Sequence, residues 1–263
     1  MRSATSRRPR RRANRRLHAV LFDLAALIRA YGMRPASVLH IGAHAAEEAR
    51  TYERCGIRRV WWIEANPELL GNLRAEVERY GGHGVIEATV DAVDDEEVAF
   101  HVTNSSQSSS ILDLDTHRQH YPDIDVERTV QLRTVTVDTL ADRYDFSGIN
   151  LVNLDIQGAE LRALRGAVNT LAHVDYVYTE VNRESVYRGC ALVGEIDEFL
   201  GQLGLARVRT SWTDAGWGDA LYIRGRLGLA RRAWAEAVLG VWCADASLQK
   251  TAPVRALARA IKR

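Results

Sequence analysis

The chain of 263 residues has only three cysteines, Cys55, Cys190 and Cys243, widely separated and with no CxxC pair. That spacing supports neither a disulfide framework nor a zinc site, and it fits a reducing interior. Long apolar runs are missing as well. Nothing approaches the roughly 18 consecutive apolar residues that a membrane span needs. The opening stretch MRSATSRRPRRRANRR has no apolar segment before Leu17, which argues against a secretory signal. Ser105, Ser106 and Ser108–Ser110 have no GxSxG elbow around them, so a hydrolase triad is not expected. A GxGxxG phosphate loop is also absent, and with it the usual means of wrapping a pyrophosphate.

What is present is an ordinary globular composition, 46% apolar and 26% charged, long enough for one large domain. The net charge of +1 is unevenly spread. Residues 1–16 carry eight arginines and no acid, and residues 225–263 carry eight basic groups against Glu236 and Asp245. The body between them is acidic, which argues against a nucleic-acid-binding core, since a phosphate-binding face needs clustered positive charge. Residues 1–16 read as a solvated basic tail, with attraction to an anionic membrane surface as the alternative. The expected location is cytoplasmic, or peripheral to a membrane through the basic ends.

Residues 17–35 read as an N-terminal helix (LHAVLFDLAALIRAY) closed by Gly32. From Ser37 short apolar strands alternate with helical stretches. SVLHIGA, VWWIEA (60–65) and VIEATV (85–90) are strands, with helices predicted over about 44–55 and 66–80. The rhythm breaks between Asp91 and Asp138. There VAFHVT and TVQLRTVTV flank a long serine-rich loop of the kind that is usually functional. NLVNLD, a helix over 158–171, VDYVYTEV, a helix over 192–203 and the strands ARVRTSW and ALYIR follow. This alternation implies a mainly parallel α/β sheet with helices on both faces, over residues 36–225. Residues 226–263 read as a helical extension. Its apolar stripes, Leu227, Trp234, Val238, Val241 and Trp242 and then Val254 to Ile261, suit docking on the body or, alternatively, lying on a membrane.

Ligands in such sheets bind beyond the carboxyl ends of the strands, where strand order reverses. Three strand ends carry chemistry. HIGAH (40–44) ends a strand in a Gly-Ala turn that permits close backbone approach. Glu64 ends the next strand, where a carboxylate can accept hydrogen bonds from both ribose hydroxyls of an adenosine. An unpaired acid at a buried strand end is otherwise costly. Asp155 ends a third strand, followed by Gln157, the turn residue Gly158, and Glu160 in the first helical turn.

The segments VLHIGAH, VWWIEANPELLGNL, DAVDD, SSSIL, TVTVDTLADRY, VNLDIQGAELRALRGA, VYTEVNRESVYRG and WGDALYI, over about 37–224, resemble the FkbM family of S-adenosylmethionine-dependent methyltransferases. The resemblance implies a Rossmann-like sheet of seven strands with one antiparallel, and commonly O-methylation of sugar, glycolipid or polyketide hydroxyls. The chain departs from the commoner pattern at His40, His44, Asn153 and Gln157. Carried over, His40, Gly42, Ala43 and His44 would line the methionine end of S-adenosylmethionine. Glu64 and Ala65 would hold the ribose, Asp91 and Ala92 would lie near adenine, and Asp155 would face the sulfonium or the acceptor. A hydroxyl acceptor must lose a proton, which invites a general base. Asp155 stands first, Glu180 second and His44 third, with Gln157, Asn182, Tyr187 and Arg188 orienting an oxygen-rich substrate. No metal is expected, because His40 lies on a strand and does not pair with His44 on a helix. The serine-rich loop reads as a lid, with His117, His120 and Tyr121 near its mouth, and Trp212 and Trp217 as a sugar platform or as core. Two other functions compete: a nucleotide-dependent oxidoreductase, disfavoured by the missing glycines, and a cofactor-binding scaffold without turnover.

Overall fold

A computed structural model describes residues 23–225 and 228–243. In chain order the elements are α1 (Leu24–Tyr31), β1 (Ser37–Ile41), α2 (Ala49–Arg54), β2 (Arg59–Glu64), α3 (Leu70–Val77) and β3 (His83–Glu87). β4 (Thr89–Val90), β5 (Glu97–Thr103), α4 (His117–His120), β6 (Val126–Val135) and α5 (Val137–Arg143) follow. The chain continues through β7 (Leu151–Leu154), α6 (Glu160–Arg165), α7 (Val168–Leu171), β8 (Tyr176–Asn182), α8 (Val193–Gln202), β9 (Leu205–Trp212), β10 (Trp217–Arg224) and α9 (Leu229–Cys243).

Seven strands form one sheet in the order β3-β2-β1-β7-β8-β10-β9. β10 runs antiparallel to both neighbours, and the remaining pairs are parallel. The alternation of strands and helices predicts such a mainly parallel sheet, and the family resemblance implies its Rossmann-like form with one antiparallel strand. All residues of β1 and β7 are buried, as central parallel strands covered on both faces require. Leu39, Ile41, Val152 and Leu154 face α5, α6 and α8, whereas Val38 and Leu151 face α1, α2 and α9. Strand order reverses between β1 and β7, which places the ligand crevice beyond their carboxyl ends. A smaller sheet, β4-β6-β5, grows from the end of β3 and carries the serine-rich loop.

Several predicted elements change shape. α1 begins at Leu24, behind an Asp23 side chain that accepts a hydrogen bond from the Ala25 N–H, and the predicted start at Leu17 lies outside the described residues. The helix predicted from 44 starts only at Ala49, because His44 and Ala46 adopt left-handed backbone angles and form a turn. The helix predicted over 158–171 divides into α6 and α7 at Gly166, where a Cβ would lie 2.2 Å from the Asp91 carbonyl oxygen. Sequence reading carried β6 to residue 137 and missed α5, which Thr136 caps by accepting the Thr139 N–H.

α9 packs on α1 through Ala235, Val238 and Leu239, all buried. Trp234, assigned to the same stripe from sequence, is instead 44% exposed. The basic tail 1–16 and the stripe from Val254 lie outside the described residues, as do the side chains of Leu227, Val241 and Trp242. No helix among the described residues is long and apolar enough to cross a membrane.

Candidate functional site

Beyond β1 the backbone turns at Gly42, whose φ is +87°. A Cβ there would sit 1.9 Å from the Asp155 carbonyl oxygen, so only glycine lets the tips of β1 and β7 approach this closely. The amides of Gly42 and Ala43 both donate to the Ile63 carbonyl, and the Asp155 amide donates to the Ile41 carbonyl. Three strand ends are thereby fastened together. Glu64 ends β2, 6% exposed, with one oxygen accepting the His44 N–H (2.8 Å) and the other the Asn66 N–H (2.7 Å). Burial pushes its carboxyl upward, and those two N–H donors pull it back. Each carboxylate oxygen keeps a further lone pair for a ligand hydroxyl.

Gln157 joins the second group of residues, with its backbone in the left-handed region at φ +56°. Its Nε2 donates to Asp155 (2.5 Å) and to Glu180 (3.0 Å), and its Oε1 accepts the Tyr187 hydroxyl (2.5 Å). One amide therefore bridges two carboxylates while a tyrosine fixes which end of the amide faces them. Asp155 is open to the cavity, and the protein around it, together with the charge of Glu47, raises its carboxyl against the Gln157 hydrogen bond. Burial, with Asp155, Glu160 and Asp219 as neighbours, raises Glu180 well above the usual carboxylate range. Glu160 is fully buried below them, accepting the N–H groups of Ile156 and Gly158, and burial lifts it to about 7.

The serine-rich loop closes over these groups. Ser106–Ser108 forms a 3-10 turn, and Ser106 Oγ meets His44 Nε2 at 2.8 Å. His44 Nδ1 meets Glu47 at 2.7 Å, and Ser110 Oγ donates to the Gln157 carbonyl. The Glu47 hydrogen bond raises the His44 imidazole, while Glu47 itself, although burial opposes it, falls to about 2. The cavity between them has a volume of about 600 Å³, within the range of sites for cofactors. Gly42, His44, Glu64, Ala65, Asp155, Gln157, Glu180 and Tyr187 all line it.

Other predicted residues lie elsewhere. Asp91, at 1% exposure, binds Arg162 through both oxygens, and neither it nor Ala92 lines the cavity. Thr89 and Val90, just before Asp91, line the cavity instead. Ala43 packs into the core. Asn182 is buried away from the cavity, and Arg188 pairs with Asp113 on the surface. His40 reaches the cavity wall but is pinned, stacked on Trp62 and bonded to the Tyr52 hydroxyl at 2.9 Å. Burial lowers its imidazole to about 3, so it is neutral. His117 and Tyr121 line the cavity and His120 does not. Trp217 lines it too, whereas Trp212 lies under the Arg183 guanidinium.

Sequence reading missed Glu47, Glu48 and Asp219, all on the wall. Asp219 carries the same signal that exposed Glu64, an acid within an otherwise apolar strand. Glu47 and Glu48 gave none, because only the left-handed turn before α2 aims them inward. Among the described residues no cluster of histidine, cysteine and acidic side chains is arranged to hold a metal ion.

The model of the Methyltransferase FkbM domain matches residues 40–206, more than half of the chain. Comparison with curated protein sequences returned no match. Similar solved structures include Sp1610 from Streptococcus pneumoniae in complex with S-adenosyl-L-methionine, at 15% identity and a TM-score of 0.45, covering 84% of this chain and 86% of that one. Magnesium protoporphyrin IX methyltransferase from Synechocystis PCC 6803, with the same ligand bound, gives 12% and 0.44 over 77% and 76%. A 1,6-didemethyltoxoflavin-N1-methyltransferase from Burkholderia thailandensis, with S-adenosylhomocysteine bound, gives 12% and 0.42 over 77% and 76%.

Proposed function

Because the chain belongs to the FkbM family of methyltransferases, we propose that it moves the methyl group of S-adenosylmethionine to a hydroxyl oxygen of a sugar, glycolipid or polyketide-type acceptor. The observation that supports this reading is the meeting of Gly42, Glu64 and Asp155 around one cavity. The residues present fit the cofactor. The glycine turn opens the backbone at the sulfonium end, and Glu64 retains two lone pairs for ribose hydroxyls. Ala65, Leu69, Thr89 and Val90 shape an apolar slot for the adenine. When bound, the cofactor supplies an electrophilic methyl carbon.

The chain's own residues supply position and a proton acceptor. Asp155 stands at the mouth of the glycine turn, where its carboxyl, held above the ordinary range, is a stronger proton acceptor for a hydroxyl than an ordinary aspartate. Gln157, held by Tyr187, orients that carboxyl and joins it to Glu180, the second candidate. His44 is committed to Glu47 and Ser106, so its role is to fasten the lid. Holding the acceptor in line with the methyl carbon is worth much of the acceleration in such transfers.

The decisive comparison is wild type against Asp155→Asn, with turnover and S-adenosylhomocysteine affinity measured on the same preparations. Removal of the base is expected to lower kcat by about 10²–10⁴-fold while cofactor affinity changes by less than about threefold. A fully active variant would remove Asp155 from the mechanism.

A further inference from the structure

The acceptor end of the cavity has a composition that the proposed reaction does not require. Asp219 on β10 and Glu180 on β8 are register partners in an antiparallel pair, so their side chains stand opposite each other on one face. Like charges in that position are destabilising, and proteins keep them where a site needs them. Glu180 is bonded to Gln157 and Asp219 to the Tyr178 hydroxyl (2.7 Å), and neither forms an ion pair among the described residues. Burial, despite the Tyr178 bond, lifts Asp219 to about 7. Glu48, which also lines the cavity, is half-exposed and is lifted to about 7 by partial desolvation. Among the described residues lining the cavity there is no lysine and no arginine.

A second, independent feature points to a ligand at this end. His117 is 4% exposed and lines the cavity, yet its Nδ1 has no hydrogen-bond partner. Its ring is held between Tyr121 (4.9 Å) and Tyr187 (5.4 Å). Burial lowers the imidazole, so it is neutral at physiological pH and offers a lone pair. Trp217 lies two residues before Asp219 and therefore on the same face of β10, its indole fixed by the Tyr121 hydroxyl at 3.0 Å. Facing carboxylates beside tryptophan and tyrosine rings are the surroundings in which an ammonium group is bound by charge and by the aromatic faces.

We infer that the acceptor is a hydroxylated amine, its ammonium group seated between Glu180 and Asp219 against Trp217 and its hydroxyl directed to Asp155. The inference rests on the methyltransferase reading above and narrows its substrate class to amino sugars and related amino polyols. Acceptors bearing carboxylate or phosphate meet no lysine or arginine among the described residues that line the cavity.

The test titrates glucosamine, glucose, N-acetylglucosamine and glucuronate into the full chain saturated with S-adenosylhomocysteine, followed by calorimetry and thermal shift. Glucosamine is expected to bind at least ten times more tightly than glucose, with N-acetylglucosamine near glucose and glucuronate weakest. Glu180→Gln and Asp219→Asn, both isosteric, are expected to reduce glucosamine to the affinity of glucose. Equal binding of the four sugars, no binding by any of them, tighter glucuronate, or a preference that survives both substitutions overturns the inference. The S-adenosylhomocysteine titration on the same samples keeps the two readings apart. Its failure overturns the methyltransferase reading and this inference with it, whereas normal cofactor binding without amine preference overturns the acceptor assignment alone.

Discussion

Glu64 accepts two backbone N–H groups while remaining beside the cavity, so it serves the fold and the ligand at once. Replacing it with alanine leaves those donors unsatisfied and removes the acceptor for the ribose. A buried polar group left unmatched costs about 1–3 kcal/mol, so Glu64→Ala is expected to weaken S-adenosylhomocysteine binding by about 10–100-fold, read by calorimetry. An unchanged affinity would place the ribose elsewhere. Asp155 makes a different prediction. Its carboxyl must be ionised to accept a proton, and its surroundings with the Glu47 charge hold it above the ordinary range. Turnover should therefore climb as pH rises through that raised pKa and then level, and a kcat that falls as pH rises from the ordinary carboxylate range would contradict its role.

At the scale of elements, the site depends on how closely strand tips meet. Gly42 is the contact between β1 and β7. Gly42→Ala forces a methyl group into the Asp155 carbonyl and a non-glycine residue into the left-handed region, a strain of order 1–3 kcal/mol before the clash is counted. The expected result is a lower melting temperature together with lost cofactor binding, whereas the same substitution at Gly56, which has open space around it, should disturb binding little. The lid is held more lightly, through Ser106 to His44 and Ser110 to the Gln157 carbonyl. A single neutral hydrogen bond is worth about 0.5–1.5 kcal/mol net. Ser106→Ala should accordingly speed S-adenosylhomocysteine dissociation by about 2–10-fold in stopped-flow measurements, and an unaltered rate would show that the loop is not a gate.

The whole molecule carries an unusual load of raised carboxyls, with Glu48, Glu160 and Asp219 at about 7 and Glu64, Asp155 and Glu180 shifted the same way. An acid whose folded pKa exceeds its unfolded value contributes stability below the unfolded pKa and loses it as pH rises through the folded one. His40, His83 and His117 are lowered, and their contribution is lost as pH falls below about 6.5. Above that value these imidazoles are neutral in both states, and the carboxyls act in the same direction as His44, whose imidazole is raised. The melting temperature of the ligand-free protein is therefore expected to fall from pH 6.5 to 8, measured by calorimetry at constant ionic strength. A rise over that interval would mean that these acids are ionised in the folded chain at little cost.

The sequence by itself determined the alternation of apolar strands with helices, and hence the parallel sheet. It also determined the three strand ends that carry Gly42, Glu64 and Asp155, because periodicity and an acid at the end of an apolar run are local properties of the chain. Tertiary structure alone decided that Asp91 turns away to Arg162 and that His40 is locked against Trp62. It also decided that Glu47, Glu48 and Asp219 join the wall from positions far apart in sequence. The physical reason is range. Strand and helix formation reads neighbours a few residues away, whereas the direction of a side chain at a turn, and the charge it meets there, depend on backbone angles and packing set by the rest of the sheet.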